Sequence, residues 1–556
     1  MAAGPFVLHL SDDIPEDLYV PTPKSFLSGP FYASISGQPR EEYGEAVEVM
    51  GEGTFGRVER VVRDDIEYVI KMIKPRDYEG DTYQNILNEV AFQLNLVHPN
   101  IASVTDVILE GTDTAHIVMP LAAMDLKKLI WHGHFKNRED RRQEAAAQLV
   151  SAVAYLATHN ILHRDIKPEN VLCFRSSHFG EGNYEYRYKL ADFGIARPSE
   201  CQRVNDDFWA YTLPYRAPEV LEQIDPYNEK ADVWALGCTL YELVGHGLAF
   251  YAPRSDNRVV DTLTLINRTF GNATPPRFLV WDDTSAQFEY LIRSMITINP
   301  VNRPRIFDVQ SYHYFHEFSM DRFKPLTCTE RTLLNPMTLT PGNLSSYESY
   351  VLETALNWIS DVIFAVCDGS FLDFDLYGEC LRDVMRTDWL AKIMFLTYVS
   401  HFPTSNSKLQ LVAAASMFNA INFYSPCNRV VDTHNLAKYG AGFLDPTELS
   451  EKSCQLAVTL QFNLLGSTPF DILNAQLNSV LVPPALIPLA QNLLLIASFI
   501  PYYAVKSDIA EICVMEAQGL LEGSAHDHFR KSVLAKQKEL GVQLKPRVSW
   551  TNYVAR

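Results

Sequence analysis

Eleven residues at 162–172, LHRDIKPENVL, constrain this chain more than any other stretch of it. An acid, Asp165, stands two positions before a lysine, Lys167, and five before an asparagine, Asn170. Twenty-seven residues on from Asp165, ADFGIAR brings a second acid, Asp192, and YRAPEV follows at 215–220. Upstream, MGEGTFGRV at 50–58 sets Gly51, Gly53 and Gly56 between two strand-like runs. Glycines there let backbone N–H groups close over phosphates without Cβ clashes, although a tight hairpin needs them too. Thirteen residues after Val58, YVIKMIK offers Lys71, whose ammonium suits the α and β phosphates of a nucleotide; an exposed strand lysine is the plain alternative. The helical period of TYQNILNEVAFQLNLV, 82–97, then carries Glu89, placed to pair with Lys71 or to face solvent. Each of these alone has an ordinary structural explanation. Such a set in this order does not arise by chance.

Together the motifs resemble the eukaryotic protein kinases over about 43–318. The resemblance implies a two-lobed α+β fold, ATP and Mg2+ as cofactors, and transfer of the γ-phosphate to protein hydroxyls. It implies that Asp165 accepts the proton of the attacking hydroxyl, that Lys167 steadies the γ-phosphate, and that Asn170 and Asp192 hold the metal. Lys167, with Thr212 ahead of the APE motif, is similar to Ser/Thr rather than tyrosine kinases. GEGTFG, NEVAFQLNLVHPNI, MDLKKLI and TLPYRAPEV resemble the cyclin-dependent kinases in kind and spacing. On that likeness Met119 is the gatekeeper, Pro120, Leu121 and Ala122 form the adenine hinge, Asp125 meets the ribose and Leu172 floors the adenine. Met50 and Val58, on either side of the glycines, complete the nucleotide set. Asp232 and Trp234 are expected to anchor a central helix, and Arg303 to pair with Glu219.

The sequence departs from that pattern in several places. In VNDDFWAYT, 204–212, the activating threonine of the family falls on Asp207, while the arginines that gather its phosphate survive as Arg164 and Arg197 and the third is Asn88. A phosphate carries about −1.5 to −2 charges and an aspartate −1, so a weaker anion faces fewer cations. Asp207 therefore reads as a built-in substitute for the activating phosphate, against the plainer reading of a solvated acid, which suits Asp206. Phe55 replaces the tyrosine of the glycine loop, leaving Thr54 as its regulatory hydroxyl. FRSSHFGEGNYEYRY enlarges the hairpin between Asp165 and Asp192, and YQNILNEV does not spell the usual cyclin-contacting sequence. Tyr211 and Pro214 replace residues that shape proline-directed specificity in the family.

The second half has no nucleophile motif, metal spacing or glycine loop. Its helical periods, with KLQLV, LDPTELSEK and FNLLGSTPFDIL in order, resemble the cyclin box over about 350–525. The charged pair by which many cyclins grip their kinase appears as Asn422 and Ser453, and a generic helical scaffold is the alternative. The expected organisation is an N-terminal extension (1–42), the kinase domain (43–318), a Pro- and Thr-rich linker (319–347), an all-α cyclin-box-like domain (348–525) and a basic tail (526–556). The linker reaches roughly 80 Å at ~3.3 Å per residue, enough to wrap round a kinase domain, and the helix 82–94 is expected to bury itself on 409–424. Tethering raises the effective concentration to the order of mM.

A formal charge of −19 disfavours nucleic acid and anionic membrane as partners. The nine cysteines lack a C-x-x-C pair, which suits a reducing intracellular compartment; cytoplasm and nucleus stay open. The N-terminus has no basic region ahead of its short apolar run and does not read as a signal peptide. In PPALIPLAQNLLLIASFIPYY the uninterrupted run falls far short of the ~20 residues a spanning helix needs. Expected partners are protein substrates, the chain's own cyclin-like domain, and cell-cycle or transcription regulators. Two other readings compete: an active kinase whose helical domain docks substrates, and a pseudokinase scaffold.

Overall fold

The computed structural model describes residues 32–34, 40–53, 56–73, 82–110, 114–175, 185–198, 212–222, 228–245, 247–250, 258–270, 284–315, 344, 347–366, 379–402, 404–424, 431–440, 444–460, single positions from 462 to 500, 501–504, 508–518 and 523–539. Asp206, Asp207, Thr54 and Phe55 lie outside them.

The first part is a six-stranded antiparallel sheet: β1 (Tyr32–Ser34), β2 (Glu48–Gly53), β3 (Gly56–Arg63), β4 (Ile66–Ile73), β5 (Asp106–Glu110) and β6 (Thr114–Pro120), in the order β1-β5-β6-β4-β3-β2. β3 and β4 are rich in Val and Ile, and Arg63 pairs with Ile66 across Asp64 and Asp65, both left-handed (φ 51° and 60°). Two positive-φ residues give the turn whose twist matches the flanking strands, and aspartate tolerates that conformation. Helix α1 (Thr82–Asn95) follows β4.

The second part is mostly helical: α2 (Leu126–Trp131), α3 (Glu139–Thr158), α4 (Pro218–Leu221), α5 (Lys230–Glu242), α6 (Arg258–Phe270), α7 (Ala286–Met295) and α8 (Ile306–Gln310). Short strands β7 (Met124–Asp125), β8 (Ile161–Leu162), β9 (Val171–Arg175), β10 (Tyr186–Leu190) and β11 (Arg197–Pro198) carry the segments of Asp165 and Asp192 between them. α5 is buried on all sides from Ala231 to Glu242. Trp234 stacks on Phe250 (5.4 Å, 17°), and Arg303 lies over its ring while donating to both Glu219 oxygens (2.6 and 3.0 Å).

The C-terminal region is helical: α9 (Ser349–Val366), α10 (Glu379–His401), α11 (Asn406–Tyr424), α12 (Thr433–Ala437), α13 (Pro446–Thr459), α14 (Pro501–Ala504), α15 (Ile509–Ala517) and α16 (Gly523–Glu539). LDPTELSEK starts α13 because Asp445 accepts from the backbone N–H groups of Thr447 and Glu448 (2.9 and 3.0 Å) and Pro446 takes a position whose N–H has no partner anyway. α11 is the hub, buried at every position from Leu409 to Tyr424 and packed against α9, α10 and α13. Asn422 and Ser453 turn inward, donating to the Phe418 and Leu449 carbonyls of their own helices. Among the described residues no helix is long and apolar enough to cross a membrane.

Two expected boundaries are corrected. The expected N-terminal extension runs to residue 42, yet β1 completes the sheet by pairing Tyr32 with Glu110, and Arg40–Tyr43 form a 3-10 turn whose Tyr43 hydroxyl donates to Asp106 (3.0 Å). The basic tail drawn from 526 begins inside α16. There Phe529 and Val533 are buried, the Tyr503 hydroxyl meets His528 Nδ1 (2.7 Å), and Lys536 pairs with Glu353 (3.1 Å). Basic residues obscured an apolar face at helical spacing.

Candidate active site

The segment holding Asp165 is fixed from below by α5. Asp232 accepts from the backbone N–H groups of His163 (2.7 Å) and Arg164 (3.0 Å), which offsets the cost of holding Arg164 left-handed (φ 69°). His163 Nε2 faces the Ala191 carbonyl (3.1 Å) and Nδ1 faces the Asp165 N–H (3.3 Å), so Nε2 carries the proton. Burial pushes this imidazole down to about 4, and it stays neutral at physiological pH.

Asp165 is tightly oriented. Its Oδ1 accepts from the Thr212 N–H (3.1 Å) and hydroxyl (2.7 Å); its Oδ2 accepts from Lys167 Nζ (2.6 Å) and Asn170 Nδ2 (2.8 Å). Lys167 also donates to the Thr212 hydroxyl (2.7 Å), closing a ring of acid, lysine and threonine. A carboxylate held this way can accept a proton from a hydroxyl brought to it, and a lysine beside it can meet negative charge.

Lys71 lies on β4 between two carboxylates, 2.5 Å from Glu89 of α1 and 2.8 Å from Asp192. Burial alone would lower its ammonium, but the charges of Asp192 and then Glu89 outweigh this and hold it above the ordinary lysine range. Burial raises Glu89, partly opposed by Lys71. Burial also acts to raise Asp192, but Lys71 overrides it and the carboxyl sits below its usual range. The lysine is thus charged and Asp192 ionised, as nucleotide and metal binding need.

The β2–β3 hairpin closes with Gly53 opposite Gly56. Gly56 has φ 123°, and a Cβ there would stand 1.8 Å from the Met72 carbonyl oxygen, so only glycine fits. Gly51 pairs with Val58, and Met50 is half-exposed beside it. On the other side Met119 is buried on β6, Leu121 and Ala122 follow its end half-buried, and Leu172 lies half-buried on β9. Asp125 caps α2, accepting from the Lys128 N–H (2.8 Å), so it has a structural duty besides any contact to ribose. For Mg2+ the donor set fits. The Asn170 NH2 is committed to the Asp165 carbonyl and carboxylate, which leaves its amide oxygen and the Asp192 carboxylate as hard donors. Mg2+ is commonly held by so few protein oxygens, with phosphates and water supplying the rest.

Among the regulatory residues, Arg197 lies opposite Leu162 in the β8–β11 pair, two positions from Arg164. Asn88 is wholly buried on α1, and its side-chain amide finds no hydrogen-bond partner among the described residues.

Helix α1 meets α11, the contact expected of 82–94 with 409–424, but sequence reasoning missed the line of aromatic rings that runs through it. His163 meets Phe193 edge-on (4.8 Å), Phe193 faces Phe92 of α1 (6.4 Å), and Phe92 faces Phe423 of α11 (5.6 Å). It runs from the segment carrying Asp165 into the C-terminal helices. Beside it, Asn95 Nδ2 donates to the Phe462 carbonyl (2.8 Å), 367 residues away. The signal was legible in ILNEVAFQ, where apolar residues at 86, 87, 90, 91 and 92 are too wide a band for one helix face.

Residues 45–315 match the protein kinase domain family. Serine/threonine-protein kinase 36 of Pongo abelii is 36% identical over 214 residues, covering 38% of this chain and 15% of its own length. Probable serine/threonine-protein kinase nek3 of Dictyostelium discoideum is 30% identical over 288 residues, covering 50% of this chain and 24% of its own length. Cyclin-dependent kinase 4 homolog of Caenorhabditis elegans is 28% identical over 253 residues, covering 43% of this chain and 59% of its own length. The chain thus spans less than two thirds of each of these relatives. Residues 45–315 are a protein kinase domain of the serine/threonine kind, a domain that uses ATP and Mg2+.

Proposed function

We propose that this serine/threonine kinase domain is of the cyclin-dependent type and is switched on in cis by the helical region 348–525 acting as its cyclin, with Asp207 standing in for the activating phosphothreonine. One observation carries the reading: α1 is buried at every position from Ile86 to Gln93. Its inner side brings Glu89 to Lys71, and its outer side packs against α11, where Phe92 meets Phe423. A helix covered on both sides by one chain has its orientation set by that chain, and Glu89 must be held inward for Lys71 to grip the phosphates. The buried apolar side chains of kinase domain and helical region form one continuous core, which favours activation over a loosely attached docking module. Protein hydroxyls are the proposed phosphate acceptors, delivered to Asp165 with ATP held between the glycine hairpin, Lys71 and the Met119–Ala122 segment.

The test is a protease site engineered into 319–347. Intact protein should keep its specific activity on dilution, since a tether maintains an effective concentration of order mM. Cleaved protein should lose activity as it is diluted and the halves part. Activity that survives cleavage and nanomolar dilution on every substrate tried defeats cis activation; loss on some substrates alone would identify a docking module.

A further inference from the structure

We propose that Asn95 is a positioning residue for phosphotransfer: its side-chain amide latches the C-terminal end of α1 to the Phe462 carbonyl and so fixes the rotation of α1 that delivers Glu89 to Lys71. The inference rests on the cis-activation reading and names the directional contact through which it works.

Both hydrogens of the Asn95 amide are used. One goes back to the Ala91 carbonyl of its own helix (2.8 Å), which holds the rotamer; the other reaches the Phe462 carbonyl (2.8 Å). The donor is therefore aimed before the two regions meet. The acceptor is equally prepared. Phe462 is 1% exposed and left-handed (φ 51°), a conformation that a bulky residue adopts only when its surroundings impose it. Its N–H donates to the Ala457 carbonyl (2.7 Å) at the end of α13, and its carbonyl also receives the Leu464 N–H (2.7 Å). The strained turn thereby points a carbonyl out of α13 toward α1. α13 itself packs against β1, so the turn is referenced to the kinase sheet as well as to α11.

Glu89 and Asn95 are six residues apart, ~9 Å along the axis and ~120° around it, so one faces the catalytic cleft while the other faces the helical region. The Phe92–Phe423 contact resists separation, but apolar packing is non-directional and tolerates rotation. A hydrogen bond with fixed donor and acceptor does not. Rotating a helix by about 20° moves a group ~6 Å from its axis by on the order of 2 Å, enough to break the ion pair between Glu89 and Lys71. An amide at the far end of α1 is well placed to prevent that.

The experiment measures Mg·ATP hydrolysis, which needs no protein acceptor, in the full-length parent protein and in Asn95→Ala and Asn95→Asp. Asn95→Asp preserves shape but turns a carboxylate on two carbonyls. Its protonated form regains one donor. We expect kcat to fall about tenfold in both variants at pH 8, with KM for ATP within twofold and melting temperatures close to the parent. The ratio of Asn95→Asp to parent should then recover several-fold as pH falls to 6, while Asn95→Ala stays low. Equal loss in both variants at every pH marks a purely structural role and overturns the latch, as does full activity in Asn95→Asp at pH 8. The linker-cleavage assay on the parent separates the two claims. If cleaved parent stays active on dilution, cis activation fails; if it loses activity while Asn95→Asp is unimpaired, the latch alone fails.

Discussion

The contact between Phe92 and Phe423 offers the most direct quantitative test of whether the helical region acts on the kinase domain. Their ring centroids are 5.6 Å apart, inside the range where aromatic pairs contribute ~0.5–1.5 kcal/mol beyond the area they bury. Replacing either by leucine keeps most of the volume and should cost ~1–1.5 kcal/mol of docking free energy. Because Phe92 also faces Phe193 at 6.4 Å, Phe92→Leu will lower activity by a second route, so neither single variant is decisive. The double-mutant cycle cancels that route. In linker-cleaved protein, the concentration at half-maximal activity reports docking of the two halves. Phe92→Leu and Phe423→Leu should each raise it roughly five- to tenfold, at 1.4 kcal/mol per factor of ten. The double variant should fall short of the product of the singles by about fivefold, a coupling of ~1 kcal/mol. Effects that simply multiply, with coupling below ~0.3 kcal/mol, would refute the claim that these rings join the two regions in solution.

Three further outcomes are expected. Asp165→Asn and Lys71→Met should abolish phosphotransfer with melting temperature little changed, and retained activity in either purified variant would sink the assignment of the site. Protein made in bacteria should be active without an activating kinase. Asp207→Asn should be clearly slower, a charge-assisted contact being worth roughly 1.5–3 kcal/mol and less if exposed, while Asp206→Asn stays near normal; inert bacterial protein that wakes only on phosphorylation would overturn this. Glu144→Gln should stabilise the fold at alkaline but not acid pH: burial, with Glu185 and Asp140 nearby, pushes the Glu144 carboxyl up to about 8. Between its ordinary value and 8 the folded state holds a proton that the unfolded chain has released, so stability falls as pH rises through that window. Thermal unfolding at pH 5 should show no gain for the variant and at pH 8 a gain on the order of 2–4 kcal/mol; a pH-independent difference would contradict the buried proton.

Much of the candidate site's geometry was legible in the sequence because it is local. Gly56 reads as glycine because a hairpin that tight leaves no room for a Cβ, and Asp165, Lys167 and Asn170 lie within six residues, close enough for Asp165 to meet both of the others locally, although Asp232 and Thr212 complete the arrangement from far along the chain. The start of α13 is equally local, since Asp445 and Pro446 satisfy the first turn without help from elsewhere. Contacts across the chain were different. That Tyr32 pairs with Glu110, that Lys536 reaches Glu353, and that Asn95 finds the carbonyl of Phe462 depend on where distant segments meet, and no spacing along the chain encodes that. Basic composition disguised α16 as a tail because charge is read residue by residue, whereas burial of Phe529 and Val533 requires a neighbouring surface that only the packed helices provide. α1 stands between these cases. Its sequence announces an apolar band too wide for one face and leads to the expectation that the helix meets 409–424, but which groups meet there, Phe92 against Phe423 and the Asn95 amide against the Phe462 carbonyl, was decided only by the tertiary structure, because ring placement and carbonyl direction depend on how distant segments pack.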